Sequence, residues 1–406
     1  MNQRPLAGIR VLDFSWVWAG PFCTLQMAHM GADVIRVESA SRLCTTRRIP
    51  PFADNIQGVN RAGYYNQYNQ GKRSITLNLR HPQGLAIAHD LVRRSDVVTE
   101  NFSAGVVERL GLGYETLSKL RPDLIMLSIS GFGRSGPYRA LAGYGPAVSA
   151  LSGFVAATGY YEDDRPQLLG VSYADPSAGL LSAAAIMAAL INRDRTGRGM
   201  YIDQSLLEPA IALVAEGLLE FAMTGREPRR IGNRDPVIAP HNCYKARGDV
   251  NQWVTIAAGT EQEWRSLCRV MGKEQLAEDP RFATAAMRKR NEDALDEAVS
   301  AWTSAHDRWD ITRLLQEAGV CAFPSLSNKD LAHDPHLRQR HFLVEKEHPE
   351  VGIRTHVGVP WTMGGKPVEV SHAAPLLGVD TDTVLEELLE LKPDHIERLR
   401  KAGALQ

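Results

Sequence analysis

An aspartate directly ahead of a proline, at the mouth of an almost wholly apolar stretch, has the clearest chemical potential in this chain: Asp175-Pro176 before Ser177 to Asn192. A carboxylate at a helix N-terminus stays ionised beside the positive end of the dipole, and one that faces a cleft can act as a nucleophile. The same placement also describes an ordinary N-cap with proline at the first helical position, and both readings stand. Basic residues recur at the expected ends of strands and helices: Lys72 and Arg73 before one strand, Arg80 after it, and Arg109 beyond Asn101-Phe102. They are either solvated surface charges or partners of a phosphate-bearing ligand, because ligands of open α/β sheets sit at the carboxyl ends of strands. Trp16 and Trp18 alternate with Val17 ahead of Ala19-Gly20-Pro21. Both could be core, or one indole could line a pocket and stack on a flat ligand.

A literal GxGxxG, Gly131 to Gly136, follows the apolar strand Leu124 to Ile129. A dinucleotide site would need a helix opening at the motif. Pro137-Tyr138 and then Ala142-Gly143-Tyr144-Gly145-Pro146 come instead, so the segment reads as a glycine-rich, substrate-facing loop. The cysteines (Cys23, Cys44, Cys243, Cys268, Cys321) contain no CxxC pair, and His333, His336 and His341 lie among charged loop residues. Neither a disulfide framework nor a metal site is expected, and a reducing cytoplasm is.

A β-then-α rhythm positions these residues. Gly8 to Phe14 reads as a buried strand, Ala19-Gly20-Pro21 as a turn, Phe22 to Met30 as a helix and Gly31 to Glu38 as a second strand. Asp13 interrupts what would otherwise resemble a secretory leader. Ser74 to Leu79 alternates as a strand, a helix runs from His81-Pro82 to about Ser95, and Asp96 to Thr99 and Leu124 to Ile129 are further strands. Helices between apolar strands imply a parallel sheet covered on both faces, hence an α/β, Rossmann-like large domain. Ser177 to Asn192 is a buried helix closed by Arg193 to Arg195 and Gly197, Met200 to Leu206 is strand or turn, and Leu207 to Met223 is a further long helix. The boundaries drawn are 1–228 for the large domain with its linker helix, 229–325 for a smaller α+β domain, and 326–406 for a meandering connection returning to the large domain. With 406 residues, 44% hydrophobic, and 46 Lys+Arg against 47 Asp+Glu, disorder is excluded and no global field favours nucleic acid or a membrane. The expected partner is a small molecule.

Several segments together resemble the class III CoA-transferases, the family of formyl-CoA transferase, carnitine CoA-transferase and the α-methylacyl-CoA racemases. They are Leu6 to Asp13 with Ala19-Gly20-Pro21, Gly31 to Glu38, Asn69 to Ser74, Glu100-Asn101-Phe102, Arg109-Leu110-Gly111, Ser128 to Gly133, Gly136-Pro137-Tyr138, Thr196 to Gly199 and Ala374 to Gly378. The resemblance implies an interlocked, ring-like homodimer that uses acyl-CoA and carboxylic acid substrates and no metal. It places the catalytic aspartate at Asp175, and the CoA contacts at Trp18, Ala19, Leu77, Asn78, Leu79, Arg80, Asn101, Phe102 and Arg109, with Arg80 and Arg109 meeting phosphates.

Departures narrow the expectation. Trp16, Trp18 and Ser39 stand where formyl-CoA transferase has histidine, glutamine and arginine, so its one-carbon and oxalate pocket is not reproduced. Gly143-Tyr144-Gly145 replaces the Gly-His-Asp run of racemases, which need a second acid/base group. Transfer of CoA, with succinyl-CoA as a candidate donor and aspartyl-anhydride and aspartyl-CoA intermediates, is therefore preferred over racemisation or non-catalytic CoA binding. Backbone N–H groups of glycine-rich loops, Gly259 among them, are candidate oxyanion donors.

Overall fold

The computed structural model describes residues 4–161, 163 and 165–406. Two compact units are formed: one from the residues up to Val155, Leu168–Gly225 and His336–Gln406, the other from Ala156–Gln167 and Arg226–Pro335. In the first unit, β1 (Arg10–Asp13), β2 (Asp33–Glu38), β3 (Arg73–Thr76), β4 (Val97–Glu100), β5 (Ile125–Ser130) and β6 (Met200–Ser205) make one sheet in the order β3-β2-β1-β4-β5-β6. Every neighbouring pair is parallel. In sheets of this Rossmann-like order the strand sequence reverses between β1 and β4, and ligands bind outside the carboxyl ends at that point.

Three helices place the site: α1 (Ala19–His29), α2 (Gly63–Tyr68) and α3 (Pro82–Arg93). Successive strand residues face opposite sides of the sheet. Val11 joins Val34, Val97 and the α1 residues Cys23 and Met27 on one side, whereas Leu12 joins Ile35, Val98 and the α3 residues Ile87 and Leu91 on the other. Helix α1 opens at Ala19, so Ala19-Gly20-Pro21 is its first turn and not a separate one. Proline is tolerated there because the first N–H groups of a helix have no intrahelical acceptor.

The apolar helix Ala174–Thr196 has Tyr173 as its N-cap and ends at Gly197 with φ 70°. Asp175 therefore lies inside the first turn and is not the cap. By length and composition alone this helix could cross a membrane; here Ala178, Ser182, Ala183 and Ile186 are buried. At Gly179 a Cβ would come within 2.8 Å of the Ala19 carbonyl oxygen, so contact with α1 at this distance requires glycine. The segment Leu207 to Met223 is two helices, Leu207–Ala212 and Ala215–Thr224, because Val214 leaves the helical region (φ −131°, ψ 29°).

The second unit holds an antiparallel sheet, β7 (His241–Lys245), β8 (Trp253–Ala257) and β9 (Cys321–Pro324), with helices packed around Trp264, Phe282, Leu295 and Ile311. Part of the expected meander after 326 is a hairpin, β10 (Leu343–His348) with β11 (Gly352–Val357), belonging to the first unit. Gln67 of α2 exchanges two hydrogen bonds with the Val357 backbone. The closing helices, Thr381–Leu389 and Pro393–Lys401, deliver Leu385, Ile396 and Leu399 into the same core as Leu12 and Ile75.

Charged groups are buried beneath the carboxyl ends of β1 and β2. Lys72 Nζ lies 3.5 Å from Asp13 Oδ2 and donates to the Pro21 carbonyl and Thr24 Oγ1, each at 2.8 Å. Beside it, Arg47 grips Glu38 at 2.9 and 2.7 Å, and Tyr65 and Ser74 also donate to Glu38. Burial alone would raise the Glu38 pKa, but the charge of Arg36 and the hydrogen bonds and charge of Arg47 pull it down to about 2. A carboxylate held below its ordinary value of 4.5 contributes stability that is complete above that pH and is lost as pH falls towards about 2. Glu38→Gln, which leaves the guanidinium groups of Arg36 and Arg47 without their counter-charge, is expected to destabilise the fold by roughly 3–5 kcal/mol at neutral pH. It should also flatten the acid dependence across that window, as urea titrations at a series of pH values will measure.

Candidate active site

After β1 the chain runs through Ser15-Trp16-Val17-Trp18 into α1. Asn101, just past β4, clamps this loop: its Oδ1 accepts the Trp16 N–H and its Nδ2 donates to the Trp16 carbonyl, both at 2.6 Å. Cys44 Sγ accepts the Val17 N–H at 3.3 Å. Held this way, Val17 has φ 62°, a strained conformation for a β-branched residue that costs about 1–3 kcal/mol. Trp16 lines one cavity, and Val17 and Trp18 line another.

The cavity on the Trp16 side, of about 850 Å³, gathers Leu77, Asn78, Leu79, Arg80, Phe102 and Arg109. Arg42 joins them, 5.4 Å from the centroid of the Trp16 ring, and Trp16 meets Phe102 edge-on at 6.0 Å. Three guanidinium groups with an aromatic pair suit a phosphorylated ligand carrying a flat ring. The Asn78 amide is already committed, accepting from the Arg80 N–H and donating to the Gly403 carbonyl. Asn101 is likewise committed, to the Trp16 backbone, and does not line this cavity.

Two basic residues singled out from the sequence are structural. Lys72 is fully buried against Asp13, and Arg73, at the amino end of β3, is held by Asp33 and Glu387. Arg42 is not among the basic residues expected from the sequence; its position just beyond β2, at the same edge of the sheet as Arg80, is the signal for it.

On the other side, a cavity of about 430 Å³ contains Asp175 with Val17, Trp18, Tyr64, Tyr68, the Tyr144-Gly145-Pro146 loop and Gly170 to Ser172. Asp175 accepts a hydrogen bond from Ser172 Oγ at 2.8 Å and another from the Ala19 backbone N–H. Burial raises its pKa above the ordinary carboxylate value, and these hydrogen bonds only partly oppose the rise. Trp18 and Ala19 thus sit at Asp175, apart from the other proposed CoA contacts. A Cβ on Gly145 would fall 1.8 Å from Asp175 Oδ2 and 2.0 Å from Ser172 Oγ, so only glycine allows this approach.

Tyr64 and Tyr68, not among the residues expected from the sequence, form an aromatic wall with Trp18, at centroid distances of 5.8 and 5.4 Å. Their i, i+4 spacing places them on one helix face and could have revealed them. Gly259 belongs to the second unit, and its N–H is donated to Glu263 Oε2 at 2.7 Å, which removes it as an oxyanion donor. The GxGxxG segment runs on through turns, with the Arg134 N–H bound to the Asp203 carboxylate, until a helix begins at Gly145. Among the described residues, no group of three or more His, Cys, Asp or Glu side chains is placed to hold a metal ion.

Residues 6–381 match the family model for CoA-transferase family III. The chain belongs to this family. As a family III CoA-transferase it is 37% identical to the succinate–glutarate CoA-transferase of Agrobacterium fabrum, over 95% of this chain and 96% of that protein. It is 34% identical to the succinyl-CoA–D-citramalate CoA-transferase of Chloroflexus aurantiacus, over 98% and 97%. The crystal structure of a CAIB/BAIF family protein from Brucella suis matches with a TM-score of 0.87 at 32% identity, covering 95% of this chain and all of that one. In this CoA-transferase, Gly145→Ala must displace either Asp175 or the 144–146 loop. Turnover is expected to fall on the order of 100-fold with little change in the unfolding midpoint, and steady-state assays paired with thermal melts will read both.

Proposed function

We propose that this enzyme transfers CoA from succinyl-CoA to a second carboxylic acid, with Asp175 as the nucleophile. The observation that carries the proposal is the placement of Asp175: a partly desolvated carboxylate in an aromatic-walled cavity, across one short loop from a cavity bearing three arginines. The relatives named for succinate or succinyl-CoA support the donor.

In the proposed reaction the CoA phosphates lie with Arg42, Arg80 and Arg109, and the pantetheine arm passes the Trp16–Trp18 loop to bring the thioester to Asp175. A carboxylate oxygen of Asp175 attacks the thioester carbonyl, the C–S bond breaks, and an aspartyl-succinyl anhydride and CoA thiolate result. The thiolate attacks the aspartyl carbonyl, succinate leaves, and Asp175 carries CoA as a thioester. The acceptor carboxylate attacks this thioester, expelling the thiolate and giving a second anhydride. Attack of the thiolate on the acceptor's acyl carbon then releases the new acyl-CoA and restores Asp175. Holding the thiolate in place provides the effective molarity for both exchanges. Burial aids the first step, because a carboxylate deprived of part of its solvation is a better nucleophile.

The partner in this reading is a second copy of the chain, as an interlocked homodimer. In support, the helix Ala215–Thr224 has no buried residue and exposes Leu218, Leu219, Phe221 and Met223, and grouped exposed apolar side chains of this kind mark protein–protein contacts. The unpaired state of all five cysteines supports a reducing, cytoplasmic setting.

Asp175→Ala is expected to abolish exchange while changing CoA affinity by less than about threefold, the carboxylate lying outside the arginine-lined cavity. Hydroxylamine added during turnover should mark Asp175 in peptide maps; substantial residual activity, or a mark elsewhere, would move the nucleophile. Sedimentation should give twice the chain mass, and Leu218→Asp with Phe221→Asp should give single chains; a monomeric parent protein rules the dimer out.

A further inference from the structure

We infer that the hydroxyl groups of Tyr64 and Tyr68 together hold the second carboxylate of a dicarboxylic acyl group while its first carbonyl engages Asp175. The substrates on both sides of the exchange are then short dicarboxylic acids. This inference rests on the transferase reading given above and deepens it at the same cavity.

Both tyrosines stand on α2 one helical turn apart, and both line the cavity that contains Asp175. Their rings are fixed by aromatic contacts: Trp18 touches both, Phe22 meets Tyr68 edge-on at 5.7 Å, and the two phenols are 5.2 Å apart. Tyr65, between them in sequence, spends its hydroxyl on Glu38 at 2.9 Å. The hydroxyls of Tyr64 and Tyr68 make no hydrogen bond among the described residues, which leaves two O–H donors for a ligand. The rest of the lining includes Val17, Pro146 and Val171, apolar contacts suited to a methylene spacer, and contains no Lys, Arg or His. Burial pushes both phenol pKa values up, and for Tyr64 the nearby charges of Tyr68 and Asp175 add to the rise, so both groups remain donors at neutral pH.

Neutral donors suit this place better than cations. A guanidinium close to Asp175 would stabilise its ionised form, lower its pKa and weaken it as a nucleophile. Two phenols can bind a carboxylate by charge-assisted hydrogen bonds without placing positive charge there. The same anchor then serves donor and acceptor in turn, because both acyl groups occupy the position on Asp175.

The test uses the full chain, with succinyl-CoA as donor and glutarate or valerate, acids of equal carbon number, as acceptor. Because the donor is common to both assays, its own dependence on the tyrosines cancels in the ratio of the two kcat/KM values. The parent enzyme should favour glutarate, and Tyr64→Phe and Tyr68→Phe should each lower the ratio about tenfold, chiefly through the KM for glutarate. A parent enzyme that prefers valerate, or a ratio unmoved in both variants, would overturn the assignment. Exchange of labelled succinate into succinyl-CoA by the parent enzyme is the separate check. Its absence overturns the transferase reading itself, whereas exchange with an unmoved ratio overturns only the tyrosine anchor.

Discussion

The ion pair of Asp13 and Lys72, both sealed from solvent, is the constraint on which the arrangement of the site depends. Burial would raise the Asp13 pKa, but the charges of Lys72 and Arg36 and the hydrogen bonds of Ser15 and Thr24 hold it low, so the carboxylate stays ionised, whereas burial pushes Lys72 down to about 7, with Asp13 only partly opposing and Arg36 adding to the fall. An isolated charge at this depth would be very costly, so the hydrogen bonds around the pair are part of its function. Lys72 reaches the first two turns of α1 through Pro21 and Thr24 and the end of α2 through Asn69; Asp13 reaches Ser15 and Thr99. The pair thereby ties together the loop with Trp16 and Trp18, the helix with Tyr64 and Tyr68, and the end of β4.

That scaffold makes possible a sharp separation of charge over a short distance. Val17, kept at positive φ by its bond to Cys44 and by the Asn101 clamp on its neighbour, lets adjacent tryptophans line different cavities. Arginines collect on the Trp16 side, while the Asp175 side has aromatic rings and hydroxyls. A polyanionic ligand can thus be held strongly at one end without quenching the reactivity of a carboxylate at the other.

Much of this was legible in the sequence. The apolar strands, the αL glycine after the long helix and the position of Asp175 all follow from local patterns, because a strand covered on both faces or a helix with a glycine stop needs no distant information. The start of α1 was displaced by one turn because Ala-Gly-Pro has the same composition in a turn as in the first turn of a helix. The β10–β11 hairpin was hidden by Lys346, Glu347 and Arg354, whose charges conceal the alternation. Lys72 looked like a surface or phosphate-binding cation because its burial is decided by Asp13, far upstream and on another strand. Tyr64 and Tyr68 share a face of α2 by their spacing, but what that face meets is decided by Trp18 and Phe22, far upstream in the chain. For Lys72 and the two tyrosines the missing information was a tertiary contact.

The return of the chain into its first unit also governs the order of folding. The Asn78 N–H donates to the Ala404 carbonyl, and the Thr76 hydroxyl donates to the Leu405 carbonyl, so the edge of the sheet is finished by residues translated after the whole second unit. During synthesis the first unit must wait, with Leu12 and Ile75 lacking their final cover, while the whole second unit is made. The second unit, drawn almost entirely from one continuous run of chain, has no such delay. Until that return, a nascent chain leaves the apolar face around Leu12 and Ile75 without its closing helices, a situation in which holding chaperones act and in which premature association of two chains competes with correct closure.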